Sequence, residues 1–430
     1  MTSYSVVGPD SFHPRQGAEA AQLRLLEGDD VAEPLRLALA TLGRRPTHWS
    51  LEQVHHRPGA GATGIYQVQA ETEDGEPTTD FLCVSTAQLP ADIPATVQLS
   101  GPDDTALTVW LHPNDPLLPG LPWACDARKV GAALFPNSHS AGSAPVSVPV
   151  LATVSYRPLR RAVLTADLSG QRRYLKVLRS GQATQLAARH QLLRAAGIPA
   201  PSLIDVPAPE VLAMHPAPGT PLAEQLMRDG AESLSPKTLV ELLHRLPAEA
   251  MQLPERSAWS TRVRDYAMGA LAVLPGEATR ISKLAELVHS LVASGPVGPK
   301  VPSHGDFYEG NLLVSGGQVS GLLDVDALGP GYLVDDLACF IGHLAVLPAL
   351  DSRYQHVPVA LHRFLTVFDD EVNPVALRGR AAGMALTLVA GAKHRATTAD
   401  PTSWRTDALK RLSIAENLAN EALTLEADEL

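Results

Sequence analysis

Apolar and polar residues alternate along Arg161-Ala162-Val163-Leu164-Thr165-Ala166 and again along Tyr174-Leu175-Lys176-Val177-Leu178. A period of two places alternate side chains on one face. With Asp167-Leu168-Ser169-Gly170 between the runs, the pattern predicts a β-hairpin closed by a Ser-Gly turn. A helix is expected next, with Leu186 and Leu193 on one face and a stop at Gly197 and Pro199. A further strand is expected over Val211-Leu212-Ala213-Met214, broken by Pro216, Pro218 and Gly219. Strand, strand, helix, strand fits a small sheet with one packed helix. From there the period lengthens. Ser235 as N-cap and Pro236 at the first helical position open a helix whose Leu239, Leu242, Leu243 and Leu246 share a face. Leu361, Phe364, Leu365 and Phe368 form one later stripe, and Ala408, Leu412, Ala415, Ala419 and Ala422 form another. These stripes are expected to be core.

The first 145 residues carry a weaker pattern. Val54-His55-His56-Arg57-Pro58, followed by Tyr66-Gln67-Val68 and Phe81-Leu82-Cys83-Val84, parallels Val154-Ser155-Tyr156-Arg157-Pro158 followed by Tyr174-Leu175-Lys176-Val177. The first segment reads either as a degenerate copy of the second or as a chance match. In that pairing Cys83 stands in the place of Lys176. The Pro-rich run from Pro113 to Pro122 reads as a connector into a helix over Ala127 to Leu134.

A chain of 430 residues, 45% hydrophobic, is long enough for two or three packed units. Its longest apolar stretch, Leu337 to Leu350, is interrupted by His343 and Pro348 and is shorter than the roughly 18 residues of a membrane span, so no spanning helix is expected. The opening Met1-Thr2-Ser3-Tyr4-Ser5 lacks a basic segment followed by an apolar one, which gives a cytoplasmic expectation. Cys83, Cys125 and Cys339 are too scattered for a disulfide framework or a cysteine zinc site. A net charge of −11 argues against nucleic acid or an anionic membrane as partner. Between Ser155 and Arg179, however, seven cations (Arg157, Arg160, Arg161, Arg172, Arg173, Lys176 and Arg179) face Asp167 alone. Such a segment in an acidic chain suits a bound anion such as phosphate, or else a solvated strand face.

Phosphoryl transfer needs a carboxylate to take the acceptor's proton, a divalent metal to neutralise phosphates, and a cation to hold the nucleotide. The chain supplies these in order: Asp306 as base, Asn311 five residues on as a Mg²⁺ ligand, and Asp324 after Val319-Ser320-Gly321-Leu322-Leu323 as the second ligand. Hard oxygen donors of this kind suit Mg²⁺. Lys176 on the basic strand is the candidate cation, with a plain strand-edge lysine as the alternative.

His304-Gly305-Asp306-Phe307-Tyr308-Glu309-Gly310-Asn311, then Gly321-Leu322-Leu323-Asp324-Val325-Asp326 and Asp335-Asp336-Leu337-Ala338, resembles the catalytic signature of the aminoglycoside-phosphotransferase and choline-kinase superfamily. The likeness extends upstream through Leu243-His244-Arg245-Leu246-Pro247, Gly197-Ile198-Pro199-Ala200-Pro201 and the Lys176 strand, covering roughly residues 150 to 345. It implies an α/β (α+β), bilobal, protein-kinase-like fold: a cap over residues 1–145, a small β-rich lobe over 146–216 and a helical lobe over 217–430. It also implies ATP and Mg²⁺ as cofactors, with Asp306 as base, Asn311 and Asp324 on the metal, Lys176 on ATP phosphates, and backbone near Met214 and His215 on adenine. His304 is expected to orient the loop by hydrogen bonding, and Asp335 and Asp336 to cap a helix starting at Leu337. Lys393, His394 and Arg395 read as dipole-complementing cations at a helix end. One feature departs from the family: no Asp or Glu lies between Asp167 and Asp205, where a helix glutamate usually pairs with the strand lysine. Gln185, His190 or an acid from the N-terminal segment are the candidates to replace it.

The long N-terminal segment ahead of this core resembles the layout of actinobacterial maltokinases and glucosamine kinases. That likeness implies a small sugar as acceptor, an aminosugar such as glucosamine first, with Glu309, Asp326 and Asp335 near the amine, Tyr308 and Trp404 against the ring, and no nucleic-acid or membrane partner. The alternatives are an aminoglycoside antibiotic kinase and, motivated by the missing glutamate, a pseudokinase acting as a binding module.

Overall fold

The computed structural model describes residues 5–6, 19–57, 60–90, 93–100, 106–136, 148–395 and 403–428. Pro58 of the N-terminal pattern and the side chains of Lys393, His394 and Arg395 lie outside the described residues. The chain forms two compact units, Met1–Gln185 with Leu203–His215 and Leu186–Ser202 with Pro216–Leu430. Antiparallel sheets dominate the first and helices the second, the mixed α/β class that the alternating and 3.6-residue patterns predict.

In the first unit, strands β1 (Ser5–Val6), β2 (Arg44–Arg57), β3 (Gly61–Thr72), β4 (Pro77–Ser85), β5 (Thr96–Ser100) and β6 (Ala106–Leu111) form one sheet in the order β1-β5-β6-β4-β3-β2. Helices α1 (Glu19–Glu27) and α2 (Ala32–Ala40) supply Leu26, Leu35 and Leu39 to a core with Tyr66, Val68, Leu82, Val84 and Val109. Burying Tyr66 is tolerable because its hydroxyl donates to the Leu26 carbonyl at 2.6 Å.

After the short helices α3 (Leu121–Ala124) and α4 (Ala127–Leu134) come β7 (Val150–Arg157), β8 (Arg161–Leu168), β9 (Gln171–Leu178), α5 (Gln182–Ala195), β10 (Leu203–Ile204) and β11 (Val211–Met214). The β8–β9 hairpin turns on Ser169 and Gly170, both at positive φ, as a two-residue hairpin of this kind requires. Leu121, Val130 and Leu134 pack with Leu164, Leu175, Val177 and Val211 in one core, so residues 118–135 belong with this second sheet. With no acid of its own at its start, α5 is capped from a distance. Glu210 accepts from the backbone N–H groups of Gly181, Gln182 and Ala183 at 2.7, 3.1 and 2.9 Å.

The second sheet runs β10-β11-β9-β8-β7, the same order, strand for strand, as β5-β6-β4-β3-β2 of the first. The register corrects the sequence pairing, however. Arg57 pairs with Gly61 as Arg157 pairs with Arg161, and two residues further Thr63 faces Ser85 while Val163 faces Lys176. Ser85, and not Cys83, is the counterpart of Lys176. A shift of two leaves every side chain on the same face, so the alternating pattern cannot distinguish the two registers.

In the second unit, β12 (Thr220–Pro221), β14 (Leu312–Ser315) and β15 (Gln318–Leu322) form one small sheet, and β13 (Lys300–Ser303) pairs with β16 (Gly329–Tyr332). The helices are α6 (Leu222–Asp229), α7 (Pro236–His244), α8 (Val263–Val273), α9 (Ala278–Ser294), α10 (Leu333–Leu350), α11 (Val357–Phe368), α12 (Pro374–Thr387) and α13 (Ser403–Asp428). Helix α7 starts as expected, with Ser235 extended before Pro236. Helix α10 starts four residues earlier than Leu337, so Asp335 and Asp336 lie within its first turn and do not cap it. Counted in full, Leu333–Leu350 and Pro374–Ala392 are each long and apolar enough to cross a membrane, contrary to the expectation from the interrupted stretch. The physical reason for their composition is packing: 61% and 78% of their apolar windows are buried within the unit.

Candidate active site

The loop between β13 and β14 carries His304 to Asn311. Its path is fixed from beneath: Asp336, fully buried on α10, accepts the backbone N–H groups of His304 and Gly305, both at 2.8 Å. His304 is enclosed and held neutral, since burial pushes its pKa down. Its Nε2 lies 2.9 Å from the Leu323 carbonyl, and its Nδ1 accepts from the Asp306 N–H at 3.3 Å. The imidazole thus ties the Asp306 backbone to the segment that carries Asp324, the orienting role expected from its place in the motif. Phe307 anchors the loop in the core, its ring 6.1 Å from that of Phe340.

Asn311 and Asp324 are brought together by the β14–β15 hairpin. Leu312 pairs with Leu322, and the Leu323 N–H donates to the Asn311 carbonyl at 2.8 Å. The Asn311 amide donates through Nδ2 to the Asp306 carbonyl at 2.9 Å, which leaves Oδ1 as the end suited to a cation. Asp324 has φ 51° and ψ 52°, a left-handed conformation that costs a non-glycine residue about 1–3 kcal/mol and concentrates at functional sites. Thus Asp306, Asn311 and Asp324 belong to one hydrogen-bonded constellation. Asp324 raises the neighbouring His304 against its burial, and Asp306 and Asp324 both help burial to push the Tyr308 phenol up.

The nucleotide-side candidates Lys176, Met214 and His215 lie in the first unit. Lys176 is buried on β9 between Val163 of β8 and Leu212 of β11. Met214 ends β11 opposite Tyr174, and the exposed His215 follows it. Burial and Arg173 both lower the His215 pKa. Of the candidates for the missing glutamate, His190 has its Nδ1 3.1 Å from the Pro201 carbonyl.

A cavity of about 340 Å³ opens beside the loop, lined by Ser303 and Gly305 and by Trp259, Tyr332, Asp335 and Arg380 among others. None of the expected substrate residues Tyr308, Glu309, Asp326 and Trp404 lines it. Tyr308 stacks on the half-buried His343, ring centroids 4.0 Å apart. Glu309 is 5% exposed, pushed up to about 7 by burial, and its Oε2 finds no partner among the described residues. Asp326 is half-buried and acts on Arg189, and Trp404 packs against the guanidinium of Arg405. Sequence reasoning missed Trp259 and Arg380, which come from regions far from the motif and share no spacing with it. The one available signal was Arg380 itself, an arginine amid the apolar helix α12.

Among the described residues, no group of three or more His, Cys, Asp or Glu side chains could hold a metal ion. No curated protein matches the chain. Among solved structures, a choline/ethanolamine kinase family protein from Mesorhizobium loti aligns at 17% identity over 69% of this chain and 94% of its own, with a TM-score of 0.45. An aminoglycoside phosphotransferase, APH(4)-Ia, in a ternary complex with ADP and hygromycin B aligns at 11% identity over 63% of this chain and 93% of its own, TM-score 0.44. Spectinomycin phosphotransferase APH(9)-Ia with ADP and spectinomycin aligns at 14% identity over 63% and 93%, TM-score 0.42. The model of the phosphotransferase enzyme family matches residues 158–363, which span strands β8 to β11, the Asp306 loop, Asp324 and helix α10. Over that segment the chain matches the phosphotransferase enzyme family.

Proposed function

We propose that this protein transfers the γ-phosphoryl group of ATP to a hydroxyl of a small sugar. The observation that carries the reading is the constellation of Asp306, Asn311 and Asp324, hydrogen-bonded into one site and opening beside a cavity of ligand size. In the reaction Asp306 takes the acceptor's hydroxyl proton as that oxygen forms its bond to the γ-phosphorus. The bond from γ-phosphorus to the bridging oxygen breaks, and ADP leaves with that electron pair. Asn311 Oδ1 and the Asp324 carboxylate are hard donors that suit Mg²⁺, an ion that takes one or two protein ligands and completes its shell with phosphates and water. Bound there, the ion would neutralise charge on the phosphates.

In the same reading Lys176 holds ATP phosphates and the backbone near Met214 and His215 receives adenine, which makes residues 146–216 the nucleotide lobe and 217–430 the acceptor lobe. The shared strand order of the two sheets supports a cap derived from a second copy of that lobe, with residues 118–135 packed on the second sheet instead. Ser85 at the position of Lys176 leaves that copy without the cation. Location in the cytoplasm accords with a reaction that draws on ATP.

The test is phosphoryl transfer from ATP across a panel of sugars, aminosugars and aminoglycosides. Asp306→Ala should lower kcat by about 10²–10⁴, the usual worth of a positioned base, with nucleotide affinity within about threefold of wild type. Equal turnover by the variant would sink the assignment of Asp306.

A further inference from the structure

We infer that Asp335 holds the phosphate acceptor: in the cavity beside Gly305 its Oδ2 takes a hydrogen bond from a polar group of the acceptor other than the hydroxyl that is phosphorylated. This deepens the sugar-kinase reading above and rests on it. The two oxygens of the Asp335 carboxylate have different surroundings. Oδ1 accepts from Arg380 at 3.2 Å and from Ser260 at 3.4 Å. Oδ2 has no partner among the described residues and is not buried, and the residue lines the cavity. Burial raises the Asp335 pKa against the pull of Arg380 and Ser260, so the carboxylate as a whole is short of donors. An oxygen in such a half-buried wall gains more from a ligand's donor than one surrounded by water.

The carboxylate is also held in place. Arg380 is 2% exposed and donates to the Val292 carbonyl at 3.3 Å as well, which anchors the Oδ1 side and leaves Oδ2 to a ligand. Asp335 and Asp336 share the first turn of α10, and Asp336 accepts the backbone N–H groups of His304 and Gly305, both at 2.8 Å. One helical turn thus carries both the acid that fixes the catalytic loop and the acid that receives the acceptor. Binding at Oδ2 therefore places the rest of the acceptor relative to the Asp306 loop through a rigid element, the kind of pre-paid orientation that accelerates transfer. Hydroxyl and ammonium groups both donate to a carboxylate, and this shared chemistry is what Oδ2 recognises. At about 340 Å³ the space lies at the small end of ligand pockets, roughly 300–1,000 Å³, which suits a small acceptor.

The experiment is steady-state transfer from ATP by the full chain and its variants, with glucose, galactose, glucosamine and galactosamine as acceptors. For each sugar that the wild type phosphorylates, Asp335→Asn should raise the acceptor KM by about tenfold or more, the worth of a hydrogen bond to a charged group, while kcat and the KM for ATP stay within about threefold. Asn leaves Arg380 buried without its counter-charge, which can cost folding, so Asp335→Glu is the second variant. It keeps the charge, displaces the oxygens by one methylene and should raise the acceptor KM in the same way. A larger effect on amino sugars than on their neutral counterparts would support the inference with ammonium as the bound donor, and an equal effect would support it with a hydroxyl. An acceptor KM unchanged in Asp335→Glu, or a fall in kcat alone, would overturn the inference and leave the phosphotransferase reading intact. No transfer to any of these sugars by the wild type would remove the sugar-kinase reading and this inference with it.

Discussion

Asp336 shows how a single residue can set the path of a loop from beneath. One carboxylate receives two backbone N–H groups of the loop, and burial pushes its pKa from the ordinary 3.8 up to about 7. Its folded pKa lies above its unfolded value, so between those two pH values the folded chain binds more protons at this position than the unfolded one. The stability that Asp336 contributes therefore falls as pH rises from about 4 to about 7, by up to about 1.4 kcal/mol per pH unit. Asp336→Asn does not titrate. In denaturation curves taken across that range, the stability advantage of wild type over Asp336→Asn should shrink with rising pH and level off beyond each end; a constant difference would count against a proton on Asp336. Asp306, Asn311 and Asp324 were legible in the sequence because a loop and one hairpin bring them together over a short stretch of chain. The pair Asp335–Arg380 and the cavity-lining Trp259 were not, because tertiary packing of distant segments assembles them. The acids Glu309 and Asp335 were legible as residue types only; sequence does not say that one is buried, with its Oε2 lacking a partner among the described residues, and the other ion-paired.

At the scale of elements, the hairpins and amphipathic helices were read correctly wherever one periodicity ran uninterrupted, as in β8, β9 and α4. Two failures have the same origin. The slip between Cys83 and Ser85 preserves the period of two, and the membrane-like composition of α10 and α12 preserves none, since a helix buried on all sides carries no polar face. Helices α10 and α12 approach each other closely at Gly342. A Cβ on Gly342 of α10 would lie 2.6 Å from the Met384 Cβ and 2.8 Å from the Ala381 carbonyl oxygen, both on α12. Alanine favours a helix interior by about 1 kcal/mol over glycine, so on propensity alone Gly342→Ala should stabilise. The contact is with backbone and a Cβ that cannot swing away, and overpacking of this kind costs about 1–3 kcal/mol. We expect a net loss of about 1–2 kcal/mol in urea denaturation. A gain would mean that the two helices separate more easily than their packing indicates.

At the scale of the molecule, the question is what makes the two sheets of the first unit a single body. Between them lies a small apolar cluster of Cys83, Trp110 and Leu159 with Ile65, Leu117 and Tyr156, and within it a polar network centred on Asp115. Asp115, 4% exposed, accepts from the Tyr156 hydroxyl at 2.8 Å and from the backbone N–H groups of Leu159 and Leu117 at 2.8 and 2.9 Å. The Trp110 indole N–H donates to the same Tyr156 oxygen at 3.3 Å, and Cys83 lies 3.7 Å from it. Burial raises the Asp115 pKa while these donors pull it back, so the carboxylate is worth most with every donor in place. The chain β4 and β6, Trp110, Tyr156, Asp115, β7 therefore joins one sheet to the other through satisfied polar groups, which fix geometry more sharply than the apolar cluster alone. Asp115→Ala leaves three donors without an acceptor and should cost about 3 kcal/mol, whereas Tyr156→Phe, which removes only the hydroxyl, should cost about 1 kcal/mol. Because the network joins the sheets and does not build either one, hydrogen exchange in Asp115→Ala should accelerate first at the facing strands β4, β6 and β7. The far strands β2 and β10 should keep their protection longer. Uniform loss across both sheets would show instead that Asp115 supports the unit as a whole, and unchanged protection would show that the apolar cluster suffices.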